Sequence, residues 1–393
     1  MQQDPIVLVS GARTAMGGLQ GSFASLTAPE LGGFAIADAV QRAGLQPTDI
    51  QEVIMGCVLP AGVKQGPARQ AMMNAGIPVA TGATTINKLC GSGMKAVMLA
   101  HDLIKAGTND IMVAGGMESM SNAPHILTKA RSGYRLGHGE IKDHMFLDGL
   151  EDARTGKLMG VFAQDIADEK GYTRETLDNF AISSLKRAMT AIEQGKLKAE
   201  TVAVTVKTRK GEVVIEDDEQ PHQANIEKIP SLRPAFKKDG TVTAANSSSI
   251  SDGASALVLM RESEAQKRGL KPKARIVAHA TNSREPSEFT LAPIGSIEKV
   301  LEKAGWKLDE VDLFEINEAF AVVTLLAMDG LGIPHEKTNI YGGACAQGHP
   351  IGSTGSRILV TLMHALEQEG KKKGVASLCI GGGEATAVAI ELI

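Results

Sequence analysis

The sequence predicts an α/β protein in which a mostly parallel sheet is covered by helices, built from two similar halves with a polar insertion. Three observations lead there. Short apolar, strand-like runs alternate with helical segments from residue 6 to about 120, and the same alternation resumes from about 274. Each half contains a glycine-serine helix start followed by a strand that runs into glycines: Gly91-Ser92-Gly93 before Gly115-Gly116, and Gly352-Ser353-Thr354-Gly355-Ser356 before Gly381-Gly382-Gly383. Gly93 to Gly115 is 22 residues and Gly355 to Gly381 is 26, close enough for a duplicated unit whose two glycine loops meet. Residues 121 to 244 are more polar, with His125, Arg131, Arg135, His138, His144 and many lysines and glutamates.

Taken in order, Ile6-Val7-Leu8-Val9 reads as the first strand. Thr84-Thr85-Ile86 is β-prone and Met94 to Ala100 is rich in helix formers, so Cys90 falls where a strand hands over to a helix. Ile111-Met112-Val113-Ala114 is the next strand. Within the insertion, Leu177, Ala181, Leu185, Ala188 and Ile192 recur at helical spacing before a stop at Gly195. Asp217-Asp218-Glu219 is expected to be a solvated turn, and Lys371-Lys372-Lys373 a solvated helix end. Ala274 to Ala278, Val311 to Ile316, Val375 to Ile380 and Thr386 to Ile390 supply the strands of the second half.

Composition narrows the function. A hydrophobic content of 43% with only 3% aromatic residues, 43 glycines and 16 methionines requires an aliphatic core and a backbone that turns tightly in many places. The net charge of −4 leaves no basic excess for nucleic acid. Apolar runs such as Phe320 to Met328 fall far short of the roughly 18 residues that would cross a bilayer, so no membrane span is expected. The chain enters its first strand without a charged-then-apolar leader, and a cytoplasmic location is expected. Cys57, Cys90, Cys345 and Cys379 lie far apart and form neither a CxxC pair nor a Cys/His ligand cluster, which supports reduced thiols and no zinc site or disulfide framework.

Four positions carry candidate chemistry, each with a plainer reading beside it. Cys90 at a helix N-terminus would have its thiolate stabilised and its pKa lowered, making it a nucleophile; free cysteine is equally a common core residue. Gly91-Ser92-Gly93-Met94-Lys95-Ala96 also fits the loose G-x-G-x-x-A dinucleotide pattern, but the nearest acidic residue, Asp110, precedes its strand instead of ending it. His349, in Gly348-His349-Pro350-Ile351-Gly352, is either structural or a base whose backbone the proline holds extended. Cys379 ends a buried strand before three glycines whose N–H groups are free to meet an oxyanion, yet alone it reads as a core cysteine. Asn317 either serves the site or caps a helix beginning at Glu318.

Together these segments resemble the thiolase family over essentially the whole chain. The resemblance rests on Asn87-Lys88-Leu89-Cys90-Gly91-Ser92-Gly93, Gly115-Gly116-Met117-Glu118-Ser119-Met120-Ser121, Asn317-Glu318-Ala319-Phe320, Gly348-His349-Pro350-Ile351-Gly352 and Cys379-Ile380-Gly381-Gly382-Gly383, in that order. Leu59 to Gly62 with Pro67 to Gln70, and Leu232 to Phe236 with Gly240 to Ala244, extend it. It implies the thiolase fold, with duplicated βαβαβαββ halves in a layered α-β-α-β-α core. Residues 1–120 plus 245–269 would form one half, 270–393 the other, and 121–244 a loop domain over coenzyme A and at tetramer contacts. It implies reversible condensation of two acetyl-CoA to acetoacetyl-CoA and CoA, with a broader or longer-chain 3-ketoacyl-CoA thiolase as the alternative. A β-ketoacyl synthase is disfavoured because it would carry histidine where Cys379 stands.

The resemblance makes Cys90 the acylated nucleophile, His349 its base, and Cys379 the group that takes or returns the α-proton. Asn317, in the family through a water, and His349 would position the second thioester oxygen, and the N–H groups of Cys90 and Gly381 another oxyanion. Ser248 and Phe236 would line the pantetheine tunnel, Met117 and Met159 the acyl pocket, and Lys228 would meet the nucleotide phosphates because Pro221 stands where some relatives are basic. Neither a metal nor a tightly bound cofactor is implied, and the expected assembly is a homotetramer. Leu158-Met159-Gly160 departs from the His-Met-Gly usual in short-chain members, and Cys345 and Gln347 replace apolar residues.

Overall fold

The computed structural model describes residues 4–393. The first half runs β1 (Ile6–Thr14), α1 (Ala28–Arg42), β2 (Glu52–Gly56), α2 (Pro67–Asn74), β3 (Gly82–Ile86), α3 (Ser92–Ala106) and β4 (Ile111–Ser119). After the insertion, which carries α4 (Met159–Glu169) and α5 (Arg174–Glu193), β5 (Ser251–Arg261) completes a βαβαβαββ order. The second half runs β6 (Ala274–Ser283), α6 (Ala292–Ala304), β7 (Leu313–Ile316), α7 (Ala321–Leu331), α8 (Thr354–Gln368), β8 (Lys373–Ile380) and β9 (Glu384–Leu392). Its third strand is reduced to one bridge, Phe314 with Thr338.

The main path of the sheet is β7-β8-β9-β6-β1-β5-β4-β2-β3. It is mixed instead of mostly parallel. Only β7–β8, β4–β2 and β2–β3 are parallel along that path, because β5 returns from the insertion antiparallel to both β1 and β4, and β8 turns back directly into β9. A turn of three glycines with φ +85° at Gly382 and +93° at Gly383 makes that hairpin possible.

Alternation along the strands creates five layers. Val7, Val53, Val113 and Val258 face outward onto α1 and α2, whereas Leu8, Ile54, Met112 and Leu257 face a central layer of α3 and α8. From the other side, Ala376, Leu378, Val388 and Ile390 face the same central helices, while Val375, Ala387 and Ala389 face α6 and α7. Phe162 and Ile166 of α4 and Leu177 and Phe180 of α5 join that outer core.

The two central helices meet at their N-termini. A methyl group on Gly93 would lie 2.6 Å from Ser356 Oγ and 2.8 Å from its backbone nitrogen, and Gly355 abuts the Met94 backbone. Glycine is required here by close approach, since the helical backbone itself would accept alanine.

The Asp217-Asp218-Glu219 segment is not a solvated turn. Asp218 is 2% exposed and clasps Arg13 with two bonds of 2.7 and 3.0 Å, while Glu200 Oε1 holds Arg13 Nε at 2.5 Å. Glu219 accepts the backbone N–H groups of Gly18 and Ser22. A surface-like acidic run therefore fastens the insertion to β1; its buried partner lies some 200 residues upstream.

Two outcomes test this architecture. Gly93→Ala should lower the denaturation midpoint by the equivalent of about 1–3 kcal/mol, the usual cost of forcing a methyl into a filled contact; an unchanged midpoint would refute the close approach. Arg13→Met, which strands two buried carboxylates, should cost about 3–5 kcal/mol. Removing the exposed Lys267 from its pair with Glu264 should cost less than about 1 kcal/mol in the same denaturation assay.

Candidate active site

The loop between β3 and α3 shapes the first thiol. The Asn87 side-chain oxygen accepts the Leu89 N–H at 2.9 Å, Ser92 Oγ accepts the Lys88 N–H at 2.8 Å, and the Ser92 hydroxyl donates to the Leu89 carbonyl at 2.7 Å. These bonds hold Leu89 in the left-handed region, φ +48°, and turn Cys90 toward a cavity of about 500 Å³. Lys88 pairs with Glu384 at 2.5 Å, tying this loop to β9 of the other half.

The expected fall in the Cys90 pKa does not occur. Burial pushes the thiol up to about 11; the N–H groups of Gly381 and Cys90 aimed at the sulfur pull it down, and the charge of Glu118 adds to the rise. Desolvation outweighs the helix terminus. The thiol is therefore protonated at neutral pH and needs a base.

His349 is built to be that base. Its N–H donates to the Ser249 carbonyl at 3.1 Å, and its ring Nδ1 lies 2.6 Å from Thr354 Oγ1. The Thr354 hydroxyl donates to the Pro350 carbonyl at 3.0 Å, so Nδ1 carries the ring proton and donates to Thr354. Nε2 is left with a lone pair and no protein partner. Burial, reinforced by the charge of Arg357, lowers the His349 pKa to about 3, which keeps the ring neutral.

Cys379, the penultimate residue of β8, is buried and lines the same cavity. Burial and then the neighbouring Cys90 hold its thiol well above the ordinary range. Gly381, in the glycine turn, also lines the cavity. Asn317 caps nothing: α7 begins at Ala321 with Phe320 as its cap, three residues later than expected. Its backbone N–H donates to the Ser377 carbonyl at 3.0 Å, and both atoms of its buried carboxamide lack a protein partner. Such groups are rarely left unpaired, which marks them for a ligand.

Ser248, Phe236, Met159 and Leu158 line the cavity, with Phe236 edge-on to Phe320 at 6.0 Å. Met117 does not. It shares the outward face of β4 with Val113 and packs against Gly32 of α1, so the strand's alternation carries it away from the cavity. Met120, just past the end of β4, takes its place in the wall. Lys228 is exposed on the short helical turn Ile226–Ser231, outside the cavity lining.

Sequence reasoning assigned no role to Glu118, although it lies on the inward face of β4. Its carboxylate accepts the N–H groups of Val58, Leu59 and Gly352 at 2.9, 3.1 and 2.9 Å, and burial raises its pKa to about 7 despite those bonds. It pins the loop that follows His349 to the loop after β2. An acidic residue after two glycines inside an apolar strand was the available signal. Thr354, five residues after His349, gave none. Among the described residues, the one His/Cys/Asp/Glu group close enough to share an ion, His101, Asp102 and His279, lies outside the cavity lining.

Residues 6–263 match the family model "Thiolase, N-terminal domain" and residues 270–392 match "Thiolase, C-terminal domain". The chain belongs to the thiolase family. It is 48% identical over 387 residues to an acetyl-CoA acetyltransferase of Escherichia coli, covering 98% of each chain. It is 47% identical over 388 residues to that of Chromobacterium violaceum, covering 98% of this chain and 99% of the relative. The crystal structure of the Bacillus anthracis acetyl-CoA acetyltransferase superposes with a TM-score of 0.97 at 40% identity, covering 100% of this chain and 99% of that one. The Ascaris suum Acat5 thiolase in complex with coenzyme A gives 0.94 at 39% identity, covering 99% and 100%.

A neutral base beside a neutral thiol has a measurable consequence. Acylation of Cys90 should show no inflection near the ordinary histidine value of 6.5; between about pH 5 and about pH 9 its rate should stay level. A sigmoidal rise centred near that value that persists in Glu118→Gln, which removes the carboxyl that burial raises to about 7, would contradict the buried neutral imidazole. Thr354→Val, which leaves Nδ1–H without an acceptor and releases the tautomer, should slow acylation about 10- to 100-fold, as the loss of about 1–3 kcal/mol predicts.

Proposed function

We propose that this acyltransferase carries out the reversible Claisen condensation of two acetyl-CoA molecules to acetoacetyl-CoA and CoA through acetyl-Cys90. The observation that supports it most is one cavity holding Cys90, His349, Cys379 and Gly381. His349 Nε2 takes the Cys90 proton as the sulfur attacks the first thioester carbonyl, and the N–H groups of Cys90 and Gly381 meet the oxyanion. Cys379 gives its proton to the departing CoA thiolate. Its high pKa makes the thiolate it then becomes a strong base, suited to the α-proton of the second acetyl-CoA.

The resulting enolate oxygen would face the imidazolium of His349, with the unpaired carboxamide of Asn317, which does not itself line the cavity, reaching it through a water. Its carbon attacks acetyl-Cys90, acetoacetyl-CoA forms, and the released Cys90 sulfur recovers its proton from His349. Each thiol and the imidazole return to their starting forms, so the cycle needs no metal and no bound cofactor. Pantetheine would lie against Ser248 and Phe236, with Met159 and Met120 on the acyl side; Lys228 is the proposed partner of the nucleotide phosphates. The apolar Leu158 in the wall favours a test of longer chains alongside acetyl.

Among the described residues no helix is long and apolar enough to cross a membrane, and four free cysteines suit the reducing cytosol, the proposed location. A homotetramer is the proposed assembly. Leu136 at 99% and Ile141 at 68% exposure in the insertion, together with edge strand β3, offer apolar and backbone surface for partner copies. Light scattering at working concentration should give four chains; a monodisperse monomer would overturn this.

Acetyl-CoA alone should add one acetyl group, mapped by mass to Cys90 and absent in Cys90→Ala. Cys379→Ala should still acquire that acetyl group on a single-turnover timescale, yet lose condensation and thiolysis by about 100- to 10,000-fold. Labelling of Cys57 or Cys345 instead, or near-normal acetoacetyl-CoA cleavage by Cys379→Ala, would refute the two-thiol cycle.

A further inference from the structure

We infer that His101, Asp102 and His279 form a binding site for a divalent transition-metal ion, with Zn²⁺ as the best-fitting probe, that fastens one half of the chain to the other. His101 and Asp102 lie on α3, in the first half; His279 lies on β6, in the second. His101 Nδ1 and His279 Nε2 each approach Asp102 Oδ1 at 2.9 Å, and the three donor atoms all lie within 4.8 Å of one another. The two imidazoles stand edge-on with ring centroids 5.1 Å apart, so both nitrogens converge on one point from different directions.

A tetrahedral ion with ligands at about 2.0–2.2 Å keeps its donors about 3.2–3.5 Å apart. The two nitrogen–oxygen contacts therefore need to open by a few tenths of an ångström, while the two nitrogens, within 4.8 Å of each other, settle at the same spacing through side-chain rotation. Two imidazoles and one carboxylate are a zinc-type donor set and leave a fourth position for water.

On binding, a ring that carries its proton on the inner nitrogen moves it to the outer one, Nε2 of His101 and Nδ1 of His279, and the ion replaces the shared hydrogens. No oxidant or net proton change at the rings is needed. Lys105 on the same helix and Lys303, which donates to the His279 carbonyl at 3.0 Å, are the nearby cations that moderate affinity. The site is separate from catalysis but mechanically connected to it. The N-terminus of α3 presents Cys90, while β6 pairs along its length with β9, the strand that follows Gly381. An ion here would brace the element carrying the nucleophile against the sheet carrying the acid/base thiol. Local sequence pattern does not reveal this grouping, because His279 lies 177 residues from Asp102.

The test is calorimetric titration of the full-length chain with ZnCl₂, in parallel with His279→Asn, Asp102→Asn and, as a control at an exposed histidine, His222→Asn. Since the Asp102 side chain is 52% exposed, its amide variant should fold, and melting of each apo protein verifies this. The wild type and His222→Asn should take up one equivalent, weakened at least about tenfold in the other two variants. Zinc should also raise the melting temperature of the wild type and leave that of His279→Asn unchanged. Absence of zinc uptake by the wild type, or superimposable isotherms for wild type, His279→Asn and Asp102→Asn, would show a hydrogen-bonded cluster only. The condensation mechanism would stand in either case, since none of these residues lines the catalytic cavity.

Discussion

The site depends on one contact, the end-to-end meeting of α3 and α8 at Gly93 and Gly355. Because no side chain separates these backbones, the loop carrying Cys90 and the loop carrying His349 open into the same space. Gly116 carries the contact into the sheet, where its missing side chain admits the backbone of Gly352 and Ser353. Glu118 then accepts the Gly352 N–H, so the segment after His349 is held by sterics from one side and by a carboxylate from the other. Any of these glycines exchanged for a larger residue would push apart two groups that must pass a proton.

Burial decides the electrostatics of the cavity. A helix terminus contributes about 0.3–1 kcal/mol to an adjacent charge, which is too little to overcome desolvation when a sulfur sits among apolar walls. The same desolvation that raises both thiols lowers the imidazole, and the three effects are complementary. The thiols keep their protons until a substrate arrives, the imidazole stays free to accept one, and the charged forms appear only when thioester chemistry creates a counter-charge. The approach of the Cys90 and Gly381 N–H groups to the sulfur provides donors for an oxyanion without requiring a permanent thiolate.

Local pattern made much of this legible. Strand and helix alternation located both halves, and glycine punctuation located the loops with Cys90, His349 and Cys379. Long-range packing was not legible. The acidic run at Asp217-Asp218-Glu219 looked solvated because Arg13, its partner, belongs to β1. Met117 looked like a pocket residue because its motif ends at the site, yet one step of strand alternation separates its outward face from the inward face of Glu118. The direction of the Cys90 shift was misjudged for a similar reason: a helix start is visible in sequence, whereas the depth of the cavity around it is not.

The duplication explains how one topology came to hold two kinds of chemistry. Thr354 follows Ser92 by 262 residues, and Lys373 follows Ile111 by the same 262, so α8 and β8 repeat α3 and β4 in register. Of the two glycines compared across the halves, Gly355 is therefore the equivalent of Gly93, whereas Gly381 stands opposite Ser119 instead of Gly115. At that offset Gly355 repeats Gly93, His349 repeats Asn87, and Cys379 repeats Met117. Asn87 uses its side chain to shape the nucleophile turn, while its counterpart His349 turns its free nitrogen into the cavity. Met117 and Cys379 share an outward-facing position, but β4 continues to Ser119 and then into the insertion, whereas β8 stops at Ile380 in a glycine hairpin. That early stop opens the sheet beside Cys379 and exposes the Gly381 N–H, which converts a packing position in one half into an acid/base position in the other.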